Sequence, residues 1–144
     1  MVSNVENVDP REVQMLQQYL NEFSQEIEAY SAQLQMLEQR RIESLTAVDT
    51  INTIKENPDN TVLLQIGGGA SLKVKIVEAD KTLLNIGSDV IVERNYDETS
   101  SYLKDRVKEM EALEKKITES ISQLQKQAKE IAKKIESAYK QMQA

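Results

Sequence analysis

The 144-residue chain contains no histidine, no cysteine and no tryptophan. Without an imidazole or a thiol there is no Ser–His–Asp triad, no Cys–His pair and no ordinary zinc site. Carboxylates and lysines remain, but they sit on helical faces among opposite charges. No catalytic residue, cofactor or metal ligand is therefore assigned, and the chain reads as a non-enzyme. The missing cysteine also removes any disulfide framework and any sign of an oxidising compartment. Phe23 is the single phenylalanine, with only four glycines and two prolines. A chain so poor in helix breakers, and heavy in Glu, Gln, Lys, Leu, Ile and Ala, has the composition of long helices with a narrow apolar stripe.

Two further absences narrow the partners. The net charge is −6, with both signs interspersed, so the basic surplus that gives nucleic-acid binders most of their affinity is missing, and no nucleic acid is expected. No apolar run is long enough to span a bilayer, so no membrane is expected either. The opening residues, MVSNVENVDPRE, lack the basic and apolar regions of a secretory signal. The expected compartment is the cytoplasm.

What the chain does have is helical periodicity. Asp9 is a candidate cap, Pro10 suits a first helical position, and Glu12 stands three residues after the cap, as in a capping box. Apolar residues then recur in steps of three and four at Val13, Leu16, Leu20, Phe23, Ile27, Tyr30, Leu34 and Leu37, the a/d pattern of a coiled coil. The next positions in phase are Arg41 and Ser44, while Ile42 and Leu45 lie one residue later. The pattern therefore predicts a stripe that rotates around the helix at this point, with a local change of supercoil. Val48, Ile51 and Ile54 carry the stripe to Asn57-Pro58-Asp59-Asn60, which ends the helix. A second helix is expected from near Asn95, with Glu98 three residues on. Its stripe runs through Leu103, Val107, Met110, Glu114, Ile117, Ile121, Leu124, Ala128, Ile131, Ile135, Ala138 and Met142, with Leu113 beside the polar Glu114. Each helix would be roughly 46 residues, or about 70 Å long. Matched lengths around a short insert favour an intrachain antiparallel coiled coil, with both termini at its far end. Pairing of each helix with another chain in a parallel dimer is the alternative.

Residues 61–94 change character. TVLLQI is β-rich, SLKVKIV alternates, EADK is a turn, TLLNI and VIVER are further strands, and GSD is a tight turn between them. The triplet Gly67-Gly68-Gly69 raises the question of a phosphate loop. The spacing of a Walker motif is absent, a dinucleotide fingerprint would need glycine at Leu72, and Gly69 leads into a strand instead of a helix. The triplet fits a hairpin turn with positive φ. Two β-hairpins in series follow. Their aliphatic sets, Val62, Leu64 and Ile66 with Leu72, Val74 and Ile76, then Leu84 and Ile86 with Val90 and Val92, cannot be covered by four short strands alone. The hairpins are expected to pair with those of other subunits, closing a sheet or barrel.

This order of helix, two hairpins and helix resembles the α-class subunit of prefoldin. The likeness is carried by Ile66-Gly67-Gly68-Gly69, by Leu72-Lys73-Val74-Lys75-Ile76, by Asp80-Lys81 with Leu83-Leu84-Asn85-Ile86-Gly87, and by Val90-Ile91-Val92-Glu93. The family often has glycine where Asp89 stands. The resemblance implies one prefoldin-like domain over residues 1–144, with helices at about 10–56 and 97–143. The fold it implies is mainly α with a small β insert: an antiparallel two-helix coiled coil whose hairpins build a β-barrel body. It implies a hexamer of two α and four β subunits, so that the partners are β-class subunits and a second copy of this chain. It also implies an ATP-independent holdase that captures unfolded clients and delivers them to a group II chaperonin. A holdase needs exposed apolar surface, and core positions lose neighbours where a coiled coil ends. The candidate client-binding residues are Val8, Val13, Met15 and Leu16 with Tyr139 and Met142. A structural scaffold or filament without clients is the alternative.

Overall fold

A computed structural model of the chain describes residues 9–143. Helix α1 runs Pro10–Lys55, strands β1 Thr61–Gly67, β2 Ala70–Lys75, β3 Lys81–Gly87 and β4 Val90–Asn95 follow, and helix α2 runs Tyr96–Met142. Asp9 caps α1. Its Oδ1 accepts from the Arg11 N–H at 3.0 Å, and its carbonyl accepts from the N–H groups of Glu12 at 2.9 Å and Val13 at 3.3 Å. Asn95 caps α2 in the same way, its Oδ1 accepting from the Glu98 N–H at 2.8 Å. At the other end of α1, Asn57 uses both side-chain groups. Its Oδ1 accepts from the Asp59 N–H at 3.1 Å, and its Nδ2 donates to the Thr61 carbonyl at 2.8 Å. This fixes the turn from helix to strand.

The stripe of α1 does not rotate. Leu37, Arg41, Ser44 and Ile54 are half-buried, and Val48 and Ile51 are buried, whereas Ile42 is 52 % and Leu45 39 % exposed. The steps of three and four continue unbroken through the two polar residues. Arg41 and Ser44 can hold half-buried positions, one with a long aliphatic stem and the other with a small side chain. Holding the phase leaves two aliphatic residues facing water, but a rotated stripe would have required local repacking of the helix pair. In α2 the same logic holds: Glu114 is half-buried in phase, and Leu113 is 47 % exposed.

The chain divides into two compact units, one drawn from α1 up to Glu38 and α2 from Ala112, the other from Gln39–Glu111. In the first unit Val13, Ile117, Ile135 and Ala138 are buried, and Gln17 meets Tyr139. In the second, Val48, Ile51, Tyr96 and Val107 form the core, and Lys55 is ion-paired with Asp97. Early residues of α1 meet late residues of α2, and late residues of α1 meet early ones of α2. The helices are thus an antiparallel intrachain pair. Full burial of one such Val or Ile is worth about 1.5–3 kcal/mol.

The strands form two separate antiparallel hairpins, β1–β2 and β3–β4. Both close identically. Gly67 pairs with Ala70 across Gly68-Gly69, and Gly87 with Val90 across Ser88-Asp89, each after a register shift of one residue. The two central residues of each turn have positive φ, at 58° and 80° in the first and 51° and 60° in the second, the combination of a two-residue turn matched to strand twist. Asp89 takes the place of a glycine because aspartate tolerates this region better than most residues. Within the second unit the β3–β4 hairpin is tied to the start of α2. The Thr82 and Thr99 hydroxyls are in contact, and the Tyr96 N–H donates to Asp80 Oδ1 at 3.4 Å.

Candidate functional site: a hairpin face and a coiled-coil end

The hairpin register places the predicted aliphatic residues opposite one another. Val62 pairs with Val74 and Leu64 with Leu72, and Leu84 pairs with Val92. In each hairpin the base of this face is half-buried, at Val62, Val74 and Ile76 and at Leu84 and Val92. Toward the turns it opens. Leu64 is 52 %, Ile66 58 %, Leu72 49 %, Ile86 46 % and Val90 49 % exposed. Cross-strand aliphatic pairs with one side open to water are suited to receiving another apolar surface. Leu84, Ile86 and Val92 also line a groove whose far wall is Asp97, Glu98, Ser101, Tyr102 and Asp105 of α2.

The opposite face of the hairpins was not anticipated. Leu63, Leu83 and Ile91 are 67 %, 78 % and 62 % exposed. A signal for it exists in the doublets Leu63-Leu64 and Leu83-Leu84 and in Val90-Ile91-Val92, since a strand apolar on both faces breaks alternation.

The second surface lies where α1 begins and α2 ends. Val13 is 7 % exposed and belongs to the core, and Leu16 is half-buried beside it. Met15, Tyr139 and Met142 are 52 %, 45 % and 56 % exposed. Val8 lies outside the described residues. The Gln17 amide donates from Nε2 to the Tyr139 hydroxyl at 2.9 Å, fixing the ring at the surface. A groove in the same unit is lined by Glu12, Val13, Leu16, Lys133, Lys134, Ser137, Ala138 and Gln141. Among the described residues no group of three or more carboxylates is placed to hold a metal ion, and no helix is long and apolar enough to cross a membrane.

The family model for prefoldin subunits matches residues 12–141. The chain belongs to the prefoldin family. A prefoldin subunit alpha from Methanoculleus marisnigri is 50 % identical over 136 residues, covering 94 % of this chain and 91 % of that protein. Among solved structures, a chain of filamentous prefoldin from Methanocaldococcus jannaschii matches with a TM-score of 0.69 at 19 % identity, covering 82 % of this chain and 98 % of its own length. The prefoldin beta subunit from Thermococcus strain KS-1 matches with a TM-score of 0.61 at 21 % identity, covering 92 % of this chain and 96 % of that one. These two likenesses carry the fold: a two-helix coiled coil joined by β-hairpins. Members of the prefoldin family are chaperone subunits and not enzymes, and the role of this chain is of that general kind.

Proposed function

We propose that this prefoldin subunit belongs to an ATP-independent holdase that captures unfolded proteins at the end of its coiled coil and passes them to a group II chaperonin. The observation that carries the reading is the exposure of Met15, Tyr139 and Met142 where the two helices end. Unfolded chains present apolar side chains without fixed geometry, and methionine repacks readily against such partners. Leu16 extends the surface and Val13 supports it from beneath, while Val8 would add to it from the preceding residues. The open faces of the hairpins suit a different task. Their aliphatic ladders join those of β-class subunits and of a second copy of this chain, building a hexamer of two α and four β subunits around a β-barrel body. The compartment proposed is the cytoplasm, and the whole chain acts as one prefoldin-like domain.

A filament-forming scaffold without clients is the second reading, supported by the fold match to a chain of a filamentous assembly. Light scattering separates the two. A chemically unfolded client is diluted without ATP into the protein, alone and with a β-class partner. Suppression of aggregation near one complex per client is expected. Absence of suppression in both mixtures, with a well-formed oligomer by sizing, would leave the scaffold ahead.

A further inference from the structure

The groove at the coiled-coil end is locally positive. Its floor is Val13, Leu16 and Ala138, and its rim carries the ammonium groups of Lys133 and Lys134 against the single carboxylate of Glu12. None of these three charged side chains has an ion-pair partner among the described residues, whereas the nearby Lys140 is paired with Glu136 at 3.4 Å. The chain as a whole carries a net charge of −6, so a locally positive, apolar-floored groove runs against the sign of the whole. The α1 side sharpens the contrast: from Pro10 to Glu38 its only base is Arg11, set against Glu12, Glu22, Glu26, Glu28 and Glu38. An acidic segment approaching this unit is repelled along α1 and drawn to Lys133 and Lys134 on α2, with its apolar residues over the groove floor.

We propose that this groove selects unfolded segments in which apolar residues are flanked by glutamate or aspartate, the carboxylates pairing with Lys133 and Lys134. The proposal rests on the client-capture reading and names the chemical class of segment held by this chain. Exposed ion pairs are individually weak, so two of them give a preference of roughly threefold to tenfold, sensitive to salt because the pairs lie within reach of screening ions.

The test uses the assembled protein and two fluorescent peptides of one apolar sequence, flanked by glutamates in one and by lysines in the other. Anisotropy titrations at low salt are expected to show the glutamate-flanked peptide bound roughly threefold to tenfold more tightly. The double variant Lys133→Glu with Lys134→Glu, at exposed positions where helix is retained, is expected to lose or reverse that preference. Lys126→Glu with Lys129→Glu, the same charge change at exposed positions outside the groove, is expected to keep it. Equal affinity for the two peptides, or a preference unchanged by the double variant, would overturn the inference while leaving client capture standing. An equal effect of Lys126→Glu with Lys129→Glu would also overturn it, since net charge and not the groove would then decide. Failure of both peptides to bind would instead defeat the client-capture reading itself, and this inference with it.

Discussion

The Gln17 amide and the Tyr139 hydroxyl are 2.9 Å apart, joining the second turn of α1 to the last turns of α2 through one exposed hydrogen bond. The bond leaves the Tyr139 ring 45 % exposed, held in place but not covered. Tyr139→Phe keeps the ring and loses the bond, and is expected to lower stability by about 0.5–1.5 kcal/mol in thermal or denaturant unfolding with aggregation suppression retained. Tyr139→Ala removes the ring and is expected to weaken suppression measurably. If both variants suppress equally well, the ring does not touch clients.

The hairpin faces make a separate prediction. Val74 is half-buried opposite Val62, and its neighbour Lys73 points to the other face. Val74→Asp places a charge within the aliphatic ladder and is expected to dissociate the assembly in sedimentation analysis while far-UV helicity largely survives. Lys73→Asp is expected to leave the oligomer intact. An oligomer that tolerates Val74→Asp would remove this face from the interface.

The paired turns allow a comparison inside one molecule. Gly67 and Gly87, at φ of 110° and 117°, lie beyond the left-handed well, whereas Gly68 at 58° matches Ser88 at 51°. A side chain is therefore tolerated at the Gly68 position and strained at Gly67. Gly68→Asn is expected to change stability by less than about 0.5 kcal/mol, and Gly67→Ala to destabilise by at least about 1 kcal/mol. Space is not the reason, because a Cβ at either position meets nothing within 4 Å. The order of the two variants in urea unfolding checks the argument.

The course of the α1 stripe is testable in the same way. Ile51 is 7 % exposed and Ile42 52 %. Ile51→Ala is expected to cost about 2–5 kcal/mol through lost burial and a cavity, and Ile42→Ser less than about 0.5 kcal/mol. A comparable loss at Ile42 would restore the rotated stripe.

The helices, their caps and the pairing of strands were legible because each rests on local rules. Asp9 and Asn95 are capping residues at the points where periodicity begins, and the alternation at Leu72, Val74 and Ile76 sets the face. The stripe at Arg41 was misread because the sequence shows two aliphatic residues one position late. Which phase is buried depends on what the whole helix pair tolerates, and a long arginine stem tolerates more than its charge suggests. The coiled-coil end was legible as a place and not as a surface. Periodicity ranks Val13, Leu16 and Met142 alike, yet Val13 is 7 % and Met142 56 % exposed, since burial there depends on where the partner helix stops. The lysine-rimmed groove carried no signal, because Glu12 and Lys133 are brought together only by the antiparallel pairing.

The central claim is that clients are held at the coiled-coil end. Aggregation suppression by a variant lacking residues 1–16 and 136–144 tests it most directly, with the oligomer verified by sizing. Loss of suppression from an assembled particle is the result expected here. Full suppression by the same assembled particle would contradict the account and move client binding to the hairpin body.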